Sequence, residues 1–317
     1  MESKLLLVGA GNMALEYARV LNNLKQSFDV VCRTQKSADK FLEKTSKPCI
    51  IGGIEGISDF SEYDKAIIAT PVLSIFSCAK KLIENGVSYL LVEKPGGIDE
   101  SQIRALNKLA VKYNSNVFIA YNRRFYQSVQ EGKKIIEKDG GGCTAQFDFT
   151  EWSHIIEVLD IPDELKKNWF LANSTHIVDL TFYLIGKPKK LSSFHNGELA
   201  WHQPSKFSGS GITEKNVLFS YGANWESAGR WSLEITTAKR KLIFSPLEEL
   251  KKQDKGTITI LKEDNIDYSH DKEYKAGIYE QTKAFINRKE KTLKSLEEQV
   301  NDFEFYNKIL GKDIGNS

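Results

Sequence analysis

Over roughly the first 120 residues, short apolar runs alternate with segments of helical periodicity. The first run, Leu5 to Val8, is unbroken, which is typical of a strand that is buried on both faces. Repeated strand–helix units of this kind predict a doubly wound parallel sheet. The predicted strands are residues 5–8, 28–32, 48–51, 65–69, 88–92 and 117–120, and the predicted helices are a first one from Asn12 onward and residues 37–45, 72–85 and 100–114.

Past residue 124 the pattern changes to short aromatic and β-branched segments, separated by turns rich in Gly, Asn, Ser and Lys. Such segments predict an antiparallel sheet with one open face. The predicted strands are residues 144–152, 190–200, 216–225, 231–237, 239–244 and 257–261, and the predicted helices are residues 168–185 and 274–309, the second divided near residues 289–291.

The length of 317 residues allows two domains, because single hydrophobic cores stop growing at roughly 250 to 300 residues. The predicted fold class is therefore α/β followed by α+β. We expect a doubly wound parallel sheet in residues 1–122 and a mostly antiparallel open-sheet domain in residues 123–317. Packing of the last helix against the first domain is left open as an alternative. Residues 311–317 are predicted to be a loose tail.

Charge and composition narrow the class of ligand. The 44 Lys and Arg residues nearly balance the 42 Asp and Glu residues, so no strong field attracts nucleic acid or a membrane surface. The sequence lacks both a run of roughly 18 apolar residues and a secretion-signal pattern. Its four cysteines occur singly, without metal-ligand spacing. We therefore expect a cytoplasmic protein with a small-molecule ligand and without a metal site.

The loop after the first predicted strand reads G-A-G-N-M-A. In this frame Gly9 permits a tight turn, Gly11 lets the backbone approach a pyrophosphate, and Ala14 allows close packing of helix on strand. The amino end of the following helix favours an anion at the loop. An ordinary tight turn would explain a lone match, but the position at the start of an alternating sheet favours a dinucleotide site.

The end of the second strand bears on the choice of cofactor. An acidic residue there usually binds the ribose 2′-hydroxyl of NAD, whereas Arg or a small hydroxylated residue accommodates the 2′-phosphate of NADP. The residues present are Arg33 and Thr34, which favour NADP. NAD remains the alternative, because an arginine can also stack on adenine without selecting between the cofactors.

The loops after all the parallel strands are expected along one edge of the sheet. One of them contains the tripeptide Glu93-Lys94-Pro95. A lysine held at a strand end beside the nicotinamide can stabilise negative charge on a substrate oxygen or relay a proton. Taken alone, this tripeptide is also common on protein surfaces.

Together the motifs resemble the glucose-fructose oxidoreductase and inositol dehydrogenase (Gfo/Idh/MocA) family, and the resemblance covers the entire chain. It implies a Rossmann domain that binds NAD or NADP and a second domain that closes over a sugar or cyclitol. The matching motifs are G-A-G-N-M-A from Gly9, A-T-P from Ala69, E-K-P from Glu93, Y-N-R-R-F from Tyr121 and T-H-I-V-D from Thr175.

The resemblance implies that Lys94 and His176 are catalytic. Imidazole titrates near neutral pH, so His176 can take the proton of a sugar hydroxyl while hydride leaves the same carbon. The predicted substrate-binding residues are Tyr121, Arg123, Asn173 and Asp179. The predicted cofactor-binding residues are Gly9, Gly11, Asn12, Met13, Arg33, Thr34, Thr70, Pro71, Glu93, Lys94 and Asn122.

Three positions depart from the family pattern. Ala172 occupies the place of an aspartate four residues before the histidine, Ile75 that of a histidine, and Gln127 that of a proline. The main prediction is an NAD(P)-dependent oxidoreductase acting on a hydroxyl or keto carbon of a sugar, sugar acid or nucleotide-linked sugar. The alternatives are redox-neutral elimination or hydrolysis of a sugar with tightly bound cofactor, and dinucleotide binding without catalysis.

The second domain's predicted strands carry more large aromatic residues than one packed face needs. An exposed apolar patch of this kind marks an interface, which predicts a homodimer or homotetramer formed through the C-terminal sheet. Coverage of the aromatics by the helices of the same domain is the alternative. The residues concerned are Phe147, Phe149, Trp152, Phe219, Tyr221, Trp225 and Trp231.

Overall fold

The computed structural model describes residues 4–312, which form two compact units. The first unit contains the residues up to Asn122 together with His270–Asn301. The second contains Arg123–Ser269 together with the residues from Asp302 onward. Gly311 and Lys312 follow the last helix, and the rest of the predicted tail lies outside the described residues.

Strands and helices alternate through the amino-terminal part of the first unit, which confirms the predicted doubly wound pattern. The short 3₁₀ segment Gly53–Gly56 accompanies them, and a second one, Asn122–Phe125, begins at the last residue of this part. The elements are β1 (Lys4–Val8), α1 (Asn12–Asn23), β2 (Phe28–Cys32), α2 (Gln35–Thr45), β3 (Cys49–Ile51), β4 (Tyr63–Ile68), α3 (Val72–Glu84), β5 (Tyr89–Val92), α4 (Glu100–Lys112) and β6 (Asn116–Ile119).

The second unit begins with a helix and continues mainly with strands. A π-helical turn, Phe170–Ser174, directly precedes its longer buried helix. The elements up to that point are α5 (Gln127–Lys138), β7 (Thr144–Asp148), α6 (Ser153–Glu157), α7 (Asp163–Lys167) and α8 (Thr175–Ile185). The following strands are β8 (Pro188–Asn196), β9 (Lys206–Thr213), β10 (Leu218–Asn224), β11 (Ser232–Thr236), β12 (Arg240–Phe244), β13 (Lys251–Asp254) and β14 (Leu261–Lys262).

The last part of the chain is mainly helical, with one short strand. A 3₁₀ turn, Glu290–Thr292, divides the predicted helix 274–309 where the sequence indicated. The elements are α9 (Ser269–Glu273), α10 (Ile278–Ile286), β15 (Lys294–Ser295) and α11 (Leu296–Ile309).

The sheet of the first unit has the strand order β15-β6-β5-β4-β1-β2-β3. Its strands are parallel except that β15 runs antiparallel to β6. Leu7 on β1 pairs with Val30 on one side and Ile67 on the other, and β1 is buried as its unbroken apolar run predicts. The strand order reverses between β1 and β4, and ligands of such sheets bind at the carboxyl ends beside this switch point.

The sheet of the second unit has the order β14-β13-β12-β11-β7-β10-β9-β8. Its pairs are antiparallel except for β7 with β10, which agrees with the predicted mostly antiparallel class. The expectation of exposed aromatics is wrong for six of the seven residues, which are buried in the core; Phe182 of α8, for example, contacts Phe147 edge to face. Of the seven aromatics, only Trp152 is exposed, at 47%.

Other parts of the secondary structure also differ from the predictions. Strand β9 was not predicted, because its sequence K-F-S-G-S-G-I-T contains the Gly and Ser residues that are typical of turns. Residues 257–260 are not a strand, although they are β-branched in part, and only Leu261–Lys262 pairs with β13. The predicted helix 168–185 is interrupted by the π-helical turn.

Candidate functional site

A cleft of about 700 Å³ lies in the first unit at the carboxyl ends of its strands. The loops after β1, β2, β4 and β5 line it. These are the loops that bind a dinucleotide in doubly wound sheets. The predicted cofactor-binding residues that line the cleft are Gly9, Gly11, Asn12, Met13, Arg33, Thr34, Thr70, Pro71, Glu93 and Lys94.

The two loop glycines, Gly9 and Gly11, are favoured for different reasons. Gly9 has a φ of +117°, and a Cβ there would lie 2.4 Å from the carbonyl oxygen of Ala69. Gly11 has an ordinary extended conformation, and a Cβ there would meet no atom within 4 Å. The space beside Gly11 is therefore open, and it adjoins the amino end of α1, whose cap residue has no side chain. This cradle fits a pyrophosphate group.

The adenosine end of the cleft is formed around Arg33. Its side chain is exposed, and its Cγ would lie 3.2 Å from a Cβ on Gly53, so Gly53 makes room for it. Thr34 caps α2, because its Oγ1 accepts a hydrogen bond from the Ser37 amide at 3.2 Å and lies 3.0 Å from Ser37 Oγ. An arginine and two hydroxyl groups thus line the same cleft.

The Glu93 carboxylate is anchored inside the first unit. Tyr17 on α1 is fully buried and donates a hydrogen bond to Glu93 Oε1 at 2.7 Å. Burial, and then the neighbouring Glu93, raise the pKa of Tyr17 well above 10, so its hydroxyl stays protonated and donates. Helix α1 therefore fixes the residue directly before Lys94.

Lys94 lies beside an aromatic ring of its own unit. Its Nζ is 5.7 Å from the centre of the Tyr121 ring, within cation–π distance. The Tyr121 hydroxyl donates to Gln299 Oε1 at 3.0 Å, and the Asn122 side chain donates to the carbonyl oxygen of Ala276 at 2.9 Å. Tyr121 and Asn122 are thus buried and hydrogen-bonded to the carboxyl-terminal segment, and their predicted contacts with substrate and cofactor stay predictions.

In the second unit, His176 contacts Arg123. Arg123 Nη1 lies 3.0 Å from His176 Nε2. A guanidinium can only donate, so this contact favours the tautomer in which Nε2 accepts and Nδ1 carries the proton. The ring of Trp231 lies beside both residues, with its centre 6.2 Å from the imidazole centre and 5.6 Å from Arg123 Cζ. His176 is thus held between an arginine and an indole ring of its own unit.

Asp179, a predicted substrate-binding residue, forms an ion pair inside the second unit. It is 2% exposed, and its two carboxylate oxygens accept hydrogen bonds from Arg124 at 2.7 Å each. Such a buried bidentate pair satisfies the carboxylate fully and links the Asn122–Phe125 turn to α8. Its contact with substrate stays a prediction.

Asn173 donates hydrogen bonds to Glu151, a residue that the sequence analysis does not predict as part of the site. Its Nδ2 lies 3.0 Å from both carboxylate oxygens of Glu151, and Arg230 Nη1 lies 3.2 Å from one of them. Neither Glu151 nor Arg230 belongs to a motif. The available signal was the single acid in the segment F-T-E-W, where its neighbours suggest burial.

The departures from the family pattern lie in both units. Ile75 is buried and lines the cleft of the first unit, and Ala172 lies in the π-helical turn before His176. Within residues 4–312, no cluster of three or more His, Cys, Asp and Glu side chains is arranged to hold a metal ion. The helices in this range include none with the length and apolar character of a membrane span.

Comparison with solved structures shows that the same fold recurs across the length of the chain. A dehydrogenase from Clostridium difficile has a TM-score of 0.78 at 16% identity, covering 98% of this chain and 100% of its own. A levoglucosan dehydrogenase in complex with NADH and levoglucosan has a TM-score of 0.76 at 15% identity, with coverage of 99% and 98%.

A UDP-N-acetylglucosamine 3-dehydrogenase from Acidithiobacillus ferrooxidans has a TM-score of 0.73 at 13% identity, with coverage of 98% and 97%. No curated protein matches the sequence. Residues 3–121 match the family model described as an oxidoreductase family with an NAD-binding Rossmann fold. Residues 3–121 are therefore similar to the NAD-binding Rossmann domain of the Gfo/Idh/MocA oxidoreductase family.

Proposed function

We propose that the protein is an NAD(P)-dependent dehydrogenase or reductase. It transfers hydride between the nicotinamide and a hydroxyl-bearing or keto carbon of a sugar, sugar acid or nucleotide-linked sugar. The observation that carries the proposal is the cleft in which the Gly9 loop, Arg33 and Lys94 lie along one sheet edge. The carbohydrate class is supported by the levoglucosan complex of a neighbour with the same fold.

The chain's own residues then have separate tasks. The open cradle at Gly11 and the amino end of α1 hold the pyrophosphate, while Thr70 and Pro71 line the same cleft. When bound, the nicotinamide supplies or accepts the hydride. Lys94 provides a positive charge that stabilises an oxyanion on the substrate. His176, whose Nε2 is an acceptor, takes the proton of the substrate hydroxyl in the oxidative direction.

We further propose that NADP is preferred to NAD. Arg33 provides a guanidinium that can bind a phosphate bidentately, and the hydroxyls of Thr34 and Ser37 lie beside it at the start of α2. An NAD site would instead place a carboxylate here for the ribose hydroxyls.

We also propose a homodimer or homotetramer formed through the second sheet. Because the aromatic residues named in the sequence analysis are mostly buried, the proposal now rests on exposed apolar residues of the opposite face of that sheet. Phe194 on β8 and Leu218 on β10 share that face through the register of β9, and they are 72% and 57% exposed. Light scattering at micromolar concentration tests it: wild type should have at least a dimer's mass, and Leu218→Asp a monomer's. A monomeric wild type would contradict it.

The cytoplasmic location stays a prediction from composition.

A panel of sugars, sugar acids and nucleotide-linked sugars, assayed with NAD⁺ and NADP⁺ by nicotinamide absorbance, tests the proposed activity. Turnover with one class supports it. Cofactor that stays bound through purification, together with sugar conversion but no net change in absorbance, would favour redox-neutral chemistry instead. Cofactor binding without any conversion would favour a non-catalytic protein, for which Ala172 is the supporting observation.

A further inference from the structure

A buried carboxylate lies beside the turn from which the His176 helix begins. Glu151 follows β7 and is 1% exposed. Its carboxylate accepts hydrogen bonds from Asn173 Nδ2 at 3.0 Å, Ser174 Oγ at 2.7 Å and Arg230 Nη1 at 3.2 Å. One acidic side chain thus joins three segments that are distant in sequence.

Two of these partners belong to the π-helical turn Phe170–Ser174. Helix α8 begins directly after it, and His176 is the second residue of that helix. A π-helical turn lacks the regular hydrogen bonds of an α-helix, and such turns occur frequently at functional sites. External hydrogen bonds from Glu151 therefore fix a turn whose conformation sets the position of His176.

Arg230 provides a second connection between Glu151 and the histidine. Its Cζ lies 4.7 Å from the centre of a Trp231 ring, and Trp231 also contacts Arg123 and His176. The salt bridge to Glu151 holds Arg230 against that ring. Glu151 thus supports the surroundings of the imidazole from two directions.

Burial of an ionised carboxylate such as that of Glu151 is unfavourable for the free energy of folding. Burial raises the pKa of its carboxyl above 4.5, against the opposing effects of Ser174, Arg230 and Asn173. The folded state therefore binds this proton more tightly than the unfolded state, and the ionised form costs folding stability at neutral pH. A neutral side chain of the same size would avoid that cost, so its presence indicates a task other than stability.

We infer that Glu151 is the positioning residue of His176, which orders the π-helical turn and keeps the imidazole in its Nε2-accepting form. The inference rests on the proposed role of His176 in proton transfer. Glu151 itself touches neither substrate nor cofactor in this assignment. It acts through Asn173, Ser174 and Arg230.

Hydrogen exchange of the cofactor-free protein tests the effect on the turn. In Glu151→Gln, amides of residues 170–176 should exchange at least about tenfold faster than in wild type, since each lost charge-assisted bond corresponds to about that factor. Asp139→Asn is the matched control, because Asp139 is another buried carboxylate of the same unit, bound by Thr237 and Arg240. It should leave residues 170–176 unchanged.

The ring ¹⁵N chemical shifts of His176 report its tautomer, and His176→Ala assigns the signal. Wild type should show an unprotonated Nε2, and Glu151→Gln a mixture of tautomers. Ser174→Ala, which keeps the Arg230 pair, should show a smaller increase in exchange and provides the test if Glu151→Gln does not fold. Wild-type exchange and shifts in the folded Glu151 variant would overturn the inference. Failure of the sugar panel would remove the proposed activity but would leave these readouts intact.

Discussion

Arg123 donates a hydrogen bond to Nε2 of His176 across 3.0 Å. The two residues are 53 positions apart in the sequence and come from different motifs, Y-N-R-R-F and T-H-I-V-D. Because the guanidinium remains protonated, the contact selects a neutral imidazole whose Nε2 carries a lone pair. A substrate hydroxyl that replaces Arg123 at this nitrogen would meet a ready proton acceptor.

Arg123→Gln should therefore lower turnover. A glutamine amide can either donate or accept, so the variant no longer selects the tautomer whose Nε2 accepts, and kcat should fall by up to roughly tenfold. Cofactor affinity should be unchanged, because the proposed dinucleotide residues all belong to the first unit. Steady-state kinetics with titration of the cofactor checks both expectations, and an unaltered kcat would show that the contact has no part in the chemistry.

The choice of cofactor depends on Arg33. Arg33→Ala should weaken NADP binding by at least about tenfold, and NAD binding by much less, because only NADP carries the 2′-phosphate. Lys40→Ala, an exposed substitution on α2, is the matched control and should change neither. Both cofactors are titrated by fluorescence at one ionic strength. Tighter binding of NAD by the wild type would contradict the assignment.

The two loop glycines should respond differently to alanine. Gly9→Ala forces a side chain into a left-handed conformation and against the Ala69 carbonyl, which should cost about 1 to 3 kcal/mol of folding stability or more. Gly11→Ala has room, so its thermal unfolding should match that of wild type, while the added methyl group obstructs the pyrophosphate. Calorimetry with cofactor titration separates the two effects. Normal cofactor affinity in Gly11→Ala would contradict the assigned cradle.

His202 should make stability depend on pH. Burial lowers the pKa of this histidine from 6.5 to about 4, against the opposing effect of a hydrogen bond to the Pro204 carbonyl. Since the unfolded chain binds the proton below about pH 6.5 and the folded chain only below about pH 4, stability is lost as the pH falls between these values. From about pH 7 to about pH 5, the loss should be about 2 kcal/mol.

His202→Gln removes this titration but keeps a polar side chain near Pro204. Urea unfolding of both proteins at the two pH values isolates the contribution, because all the other titrating groups are common to both. An equal loss of stability in wild type and variant would show that His202 is not the responsible group.

Several parts of the fold could be predicted from the pattern of neighbouring residues in the sequence. The unbroken apolar run of β1 and the glycines after it predict a buried parallel strand and its binding loop, since both depend on neighbouring residues. Strand β9 could not be predicted in this way, because its two glycines, Gly209 and Gly211, are required by the close packing of Tyr221 and Phe219 from β10. That contact exists only in the folded sheet.

In the candidate site, too, some residues could be predicted from local sequence and others could not. Lys94 and the Gly9 loop belong to motifs whose chemistry can be inferred from residue type and position. The engagement of Asp179 by Arg124, and of Asn173 by Glu151, depends on tertiary contacts that no spacing reveals. Sequence therefore identified charged groups near the chemistry but could not tell which of them were already satisfied.

The central claim is that Lys94 and His176 act on the substrate oxygen and contribute little to cofactor binding. The most direct measurement is kcat, together with the cofactor dissociation constant, for Lys94→Met and His176→Ala. Lys108→Met and His154→Ala, which are exposed positions in the respective units, serve as controls. Turnover should fall by about 10² to 10⁴ in each site variant, while cofactor affinity changes by less than about tenfold. Near-normal turnover in both variants would contradict the account.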